Sequence, residues 1–151
     1  MQEPIVLRQQ FSITCAQLFG LLSTPVQMEA WFSPADEIAV KVLQHEFRVN
    51  GSYQLRYSQP DGSFVVVAGK FIQIDEPGLI CFTWEWQQGD EHAAIPTLVT
   101  WLIKPCGQGS ELTVIHEQLP DRDFFVRHQN GWMGALQRLL SKSDNLKGDT
   151  Q

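Results

Sequence analysis

Two of the four histidines, His116 and His128, stand where an imidazole could do chemistry. His116 lies in an alternating apolar stretch from Glu111 to Gln118, and His128 lies in a stretch with helical spacing. An imidazole changes charge between about pH 5 and 8, so two rings sharing one pocket could act as acid and base in a cyclase or hydrolase. The nearest carboxylate in sequence, Glu117, falls on the opposite strand face from His116, because side chains alternate along a strand. The simpler reading seats each ring in the core with one nitrogen satisfied, and no residue is assigned as catalytic. With His45 and His92 the four form no i, i+4 pair, and no Cys-x-x-Cys occurs, so neither a metal nor a cofactor is expected. No Gly-x-Ser-x-Gly elbow, phosphate loop or dinucleotide fingerprint is present, and Gly107-x-Gly109 reads as a hairpin turn.

Binding chemistry is better represented than catalysis. Tyrosine and tryptophan bury large areas and keep one polar handle, the usual profile of a small-molecule pocket. Strand parity and helix spacing gather such residues into one candidate lining: Tyr53, Leu55, Tyr57, Trp84, Val99, Trp101, His116, His128, Trp132 and Leu136. Trp86, Leu112 and Val114 share those strand faces. Trp31-Phe32 before Pro34 is placed to shield one mouth of such a cavity, and the polar Gln87 to Ala94 stretch another. The competing reading is that the same rings fill the core and leave no space.

The elements that must position these residues are legible in the periodicity. Asp123 to Lys142 places Phe125, His128, Trp132, Ala135, Leu136 and Leu139 on one stripe of a long helix, with Asp121 and Asp123 at its start and Lys142 near its end. Gly131 and Gly134 each cost about 1 kcal/mol in a helix, so they point to close packing beside Trp132, expected against a sheet. Ile5 to Ile13 reads as a first strand. Thr14 caps a short helix over Cys15 to Ser23, and Thr24-Pro25 opens a second that Pro34 ends. From Ile38 to Gln118 the period is two, giving about six strands. Phe47 and Val49 share that alternation before Asn50-Gly51. The turns fall at Gln59-Pro60-Asp61-Gly62, at Asp75-Glu76-Pro77-Gly78 and around Gly107 to Gly109, with a polar, mobile-looking loop over Gln87 to Pro96. Gly69 interrupts its strand at a bulge or a close backbone approach, and a bulge there or at Gly51 would turn downstream residues to the other face.

Composition bounds the rest. The 151 residues, 43% of them apolar, suit one domain, with a core over about residues 5–142 and a tail over 143–151. A net charge of −6 with 11 scattered basic residues disfavours nucleic acid and anionic membrane surfaces. Cys15, Cys81 and Cys106 are odd in number and scattered, as in a chain with reduced thiols, and the start MQEPIVLRQQ lacks the pattern of a signal peptide. No apolar run reaches the roughly 18 residues of a membrane span, so a cytoplasmic location is expected.

The motifs in order resemble one family. Ala30-Trp31-Phe32-Ser33-Pro34, then Phe47-Arg48-Val49-Asn50-Gly51-Ser52-Tyr53 with Asn50 where a second glycine is usual, Pro60-Asp61-Gly62, Gly69-Lys70-Phe71, Ile74-Asp75-Glu76-Pro77, Leu79 to Trp84 and His128-Gln129-Asn130-Gly131-Trp132 carry the likeness over roughly residues 5 to 142. Together they resemble the START-like, or SRPBCC, superfamily in the branch named after the activator of the heat-shock protein 90 ATPase. The resemblance implies an α+β helix-grip fold: a curved antiparallel sheet wrapped around a long C-terminal helix, with two short helices after the first strand. It also implies a cavity between sheet and helix of the kind that holds lipids, sterols, hormones or polyketides, with cyclisation in some branches. A small hydrophobic or aromatic molecule is therefore the expected partner. The branch name adds a chaperone, and a homodimer is left open.

Overall fold

The computed structural model describes residues 2–149. Strand β1 (Ile5–Phe11) is followed by helices α1 (Cys15–Ser23) and α2 (Pro25–Trp31). Strands β2 (Ala39–His45), β3 (Ser52–Ser58), β4 (Phe64–Asp75), β5 (Leu79–Trp86), β6 (Thr97–Cys106) and β7 (Gly109–Glu117) then lead into α3 (Arg122–Asp149). The seven strands form one antiparallel sheet in the order β1-β7-β6-β5-β4-β3-β2. From β2 to β7 it is a meander of neighbours in sequence, and β1 adds itself at the far edge beside β7. The fold is α+β, a curved open sheet gripping one long helix, as the motif order implies.

Local chemistry explains the elements. Thr14 and Gln17 form a reciprocal cap: the Thr14 hydroxyl accepts from the Gln17 amide at 3.1 Å, and the Gln17 side chain accepts from the Thr14 amide at 2.9 Å. Pro25 occupies the first turn of α2, where its missing N–H leaves no helical bond unmade. Asp121 caps α3 by accepting from the Phe124 amide at 2.9 Å. Of the expected tail over 143–151, residues 143–149 continue α3, with Ser143 buried and Leu146 packed on the core, and residues 150 and 151 lie outside the described residues.

The alternation of the strands places Tyr53, Leu55, Tyr57, Ile80, Phe82, Trp84, Trp86, Val99, Trp101, Leu112, Val114 and His116 inside, all buried. The bulges fall elsewhere than at the glycines: Leu43 in β2 and Ile72 in β4 are the extra residues, and both are exposed. Gly69 marks a close approach instead. A Cβ there would lie 2.0 Å from the Thr83 carbonyl oxygen and 2.7 Å from the Tyr53 ring, whose hydroxyl donates to that same carbonyl. Phe47 and Val49 lie outside the strands. Their segment turns tightly from Glu46 to Gly51, and Asn50 takes a φ of 70°, a left-handed conformation that asparagine tolerates better than most residues. Alternation over so few residues cannot tell a strand from a turn whose residues happen to alternate in polarity, and Val49 is in fact exposed.

Candidate functional site

Between sheet and helix the interior divides in two. Toward the β3–β4 hairpin a cleft of about 490 Å³ remains open. Behind it, toward α1 and β4, a second space of only about 10 Å³ is left among Leu22, Met28, His45, Phe47, Tyr53, Leu55, Phe71, Ile80, Phe82 and Trp101. Phe32 borders both.

Three connections frame the open cleft. The segment between α2 and β2 brings Phe32, Ser33, Pro34 and Ile38 to it, the β3–β4 hairpin brings Gln59, Ser63, Phe64 and Val65, and the β5–β6 loop brings Gly89 and Asp90. Tyr57, Trp84 and Trp86 form the sheet side, while Arg127, His128, Gly131, Trp132 and Ala135 form the helix side.

The first connection is fastened directly onto α3. A Cβ on Gly134 would fall 2.1 Å from the Pro34 carbonyl oxygen, so only glycine lets that backbone lie on the helix there; one on Gly131 would meet nothing nearer than the Pro34 side chain at 3.7 Å. The expected close packing beside Trp132 is real, but its partner is this connection and not the sheet. Arg138 adds a link, donating to the Gly134 carbonyl at 2.9 Å and pairing with Asp36. The Ser33 hydroxyl is shared between the carbonyls of Ala35 and Ile38 and holds the segment's own turn.

The β5–β6 loop, expected to be mobile, is tied to the same helix. Arg127 pairs with both carboxylate oxygens of Asp90, at 2.9 and 3.1 Å, and with Glu91 at 3.2 Å, and its guanidinium lies 5.4 Å from the Trp86 ring. Burial would raise the Asp90 pKa, but hydrogen bonds from Arg127 and the His92 amide, with the Arg127 charge, outweigh it and keep the carboxyl below its ordinary value. The cation at the cleft mouth is therefore already matched by two carboxylates. Buried His92 packs edge-on against Phe124 at 5.1 Å and lies 3.4 Å from Asp121, which anchors the loop at its other end.

The two histidines of interest are neighbours, with ring centroids 5.3 Å apart, yet neither has a free nitrogen. The Trp132 indole N–H donates to Nδ1 of His116 at 3.1 Å. The Thr97 hydroxyl donates to the Trp84 carbonyl, so at 2.8 Å from the ring its oxygen accepts a hydrogen bond from the Nε2–H of His116. On His128 the pattern is mirrored: Nε2 accepts from the Trp86 indole at 2.8 Å, and Nδ1 donates to the Phe124 carbonyl at 2.9 Å. Each ring is thus a neutral imidazole, and the two are opposite tautomers. Burial pushes the His128 pKa down to about 3, and the Arg127 charge adds to that against the opposing Phe124 carbonyl. Burial, with His128 as a neighbour, pushes His116 well below its ordinary value. Such rings orient tryptophans; they are poorly suited to take up and release protons.

Of the residues that strand parity and helix spacing assign to a cavity, Tyr57, Trp84, His128 and Trp132 line the open cleft. Tyr53, Leu55 and Trp101 border the nearly filled space behind Phe32. Val99, His116 and Leu136 are buried and line neither space. Burial holds the Tyr57 phenol neutral, far above its ordinary pKa, and the Trp84 indole N–H has no hydrogen-bond partner among the described residues. Both rings line the cleft beside the polar Ser33, Gln59, Ser63, Asp90 and Arg127, while the Trp84 nitrogen itself is buried. No group of three or more His, Cys, Asp or Glu among the described residues could hold a metal ion, and no helix among them is long and apolar enough to cross a membrane.

Residues 12–142 match the family described as Activator of Hsp90 ATPase homolog 1-like protein. The chain belongs to this family. Solved structures carry the same fold. Protein CV1439 from Chromobacterium violaceum superposes with a TM-score of 0.83 at 20% identity, over 94% of this chain and 98% of that one. The AHSA1 protein of Silicibacter pomeroyi does so with a TM-score of 0.81 at 24% identity, over 93% and 96%. At these identities the likeness is one of fold alone. No curated protein matches the sequence.

Within this Hsp90-activator-like domain several cleft residues have no counterpart in a pattern of period or parity. Ser33, Pro34 and Ile38 come from an irregular connection, Asp90 from a loop, and Arg127 from beside the apolar stripe of α3. The usable signals were the pair Gly131 and Gly134, which announces something lying close to the helix without saying what, and the Trp31-Phe32 and Gln87 to Ala94 stretches, each expected beside the cavity.

Proposed function

We propose that the chain is a binding module for a small apolar or aromatic molecule held between the sheet and α3. The observation that carries this reading is the open cleft of about 490 Å³ walled by Phe32, Tyr57, Trp84, Trp86 and Trp132. That volume is in the range of small-molecule sites, and aromatic walls with a few polar groups are their usual composition. With Arg127 matched by Asp90 and Glu91, a neutral ligand suits the mouth better than an anion. Neither histidine offers a free nitrogen, which favours holding a molecule over transforming it. The test is a titration of the purified protein with neutral aromatic and lipid-like compounds, read by melting temperature and native mass spectrometry. A ligand that raises the melting temperature in wild type and not in Tyr57→Ala supports the reading; no shift and no bound mass across the panel removes it.

The family's printed name supplies the alternative, action on the Hsp90 ATPase. Purified chaperone with and without the domain distinguishes the two: stimulated ATP hydrolysis would support that role, and no complex at micromolar concentrations would dismiss it.

A further inference from the structure

The cleft is open at its mouth, and one side chain, Phe32, lines both it and the small space behind. Phe32 leaves the end of α2, where its amide donates to the Met28 carbonyl at 2.8 Å, and its ring is 4% exposed. It stacks on Trp31 with centroids 4.7 Å apart and on Trp132 at 5.4 Å, and it meets Trp101 at 5.5 Å and Trp84 at 5.7 Å. One face of this cluster belongs to the cleft of about 490 Å³, the other to the space of about 10 Å³, and Phe32 lines both. The walls beyond it are rings of the sheet, such as Phe82 and Trp101, anchored in paired strands. Phe32 is different in kind, since it hangs from a helix end and an irregular connection.

We propose that Phe32 sets the depth of the cleft and thereby the length of molecule the site accepts. This rests on the small-molecule reading given above. A smaller side chain would join the cleft to the space behind, because a close-packed interior relaxes only partly around a lost ring. A longer ligand could then seat further carbons where the ring had been. Each apolar methylene withdrawn from water is worth roughly fourfold in affinity.

The test uses a series of 4-n-alkylphenols, from methyl to octyl, titrated into the full chain and followed by tryptophan fluorescence and calorimetry. In wild type the affinity should climb with chain length and then stop climbing at a break. In Phe32→Ala the climb should continue for at least two more carbons, at roughly fourfold each. Phe32→Leu should lie between, and it keeps the test alive if the alanine variant fails to fold. Phe64→Ala, at the exposed mouth, should leave the break where it is. The same break in wild type and Phe32→Leu would overturn the depth role while leaving the binding site intact. A wild type that binds no member of the series would overturn the site and the depth role together.

Discussion

The indole N–H of Trp86, on the sheet, donates to Nε2 of His128, on the helix, across 2.8 Å. That bond spans the interior between the two layers and exists only while the imidazole is neutral. With the ring's other nitrogen donating to the Phe124 carbonyl, a proton on Nε2 would break the link and leave a charge in an aromatic surround.

Acid should therefore loosen the grip. An unfolded histidine takes up a proton near its ordinary value of 6.5, whereas folded His128 resists until about pH 3. Between those values the unfolded state binds more protons, so stability is complete above about pH 6.5 and declines as pH falls toward 3. The limiting slope is about 1.4 kcal/mol per pH unit for each such group. His116 titrates in the same direction, and its share adds to the slope. Urea unfolding between pH 7 and pH 5 should show the decline, and His128→Gln should flatten it. An equal slope in both proteins would exclude the link.

Trp132→Ala should be among the costliest substitutions, at about 3–5 kcal/mol, because a buried ring leaves a cavity that its neighbours fill only partly. It also removes the donor to Nδ1 of His116. Denaturant unfolding at pH 7 measures this, and a cost under about 1 kcal/mol would show the ring to be dispensable.

Gly131→Ala and Gly134→Ala should separate, although both replace glycine in one helix. Helix propensity alone favours each alanine by about 1 kcal/mol. At position 131 the nearest atom is 3.7 Å away and the gain should be kept; at 134 the Pro34 carbonyl oxygen at 2.1 Å should reverse it into a net loss. Matching melting temperatures for the two variants would contradict the contact.

For an apolar fluorescent probe, Tyr57→Ala and Trp84→Ala should weaken binding about tenfold or more, with little change from Arg56→Ala or Thr100→Ala, which lie off the cleft. Trp101→Phe should also have little effect, since its ring borders the filled side. Competition titrations decide this, and equal losses at Tyr57 and Arg56 would put the probe elsewhere.

Reducing agents should leave the melting temperature unchanged, because Cys15, Cys81 and Cys106 are all free thiols. A clear drop on reduction would contradict that state.

Periodicity made the scaffold legible because burial is one-sided. Tyr53, Leu55 and Tyr57 alternate with polar partners, and His128, Trp132 and Leu136 repeat with a helical turn, so their inward faces follow from spacing alone. What spacing cannot give is distance along the interior. Tyr53 and Tyr57 share a strand face, yet one borders filled core and the other an open cleft, because Phe32 enters from an irregular connection between them. Paired nitrogens are equally hidden: nothing in the order of residues says that Trp86 will meet His128 or that Trp132 will meet His116.

Strand β1 has a consequence for the order of assembly. Its partner is β7, with Ile5 opposite His116 and Phe11 opposite Ser110, so the first strand of the chain waits for the last. During synthesis the meander from β2 to β6 can pair as it emerges, while β1 stays without a neighbour until most of the chain has left the ribosome. Helix α3 arrives later still and brings His128 and Trp132 with it. The cleft is thus completed last, and until α3 docks the α2 side, through Trp31 and Phe32, can cover part of the aromatic sheet face.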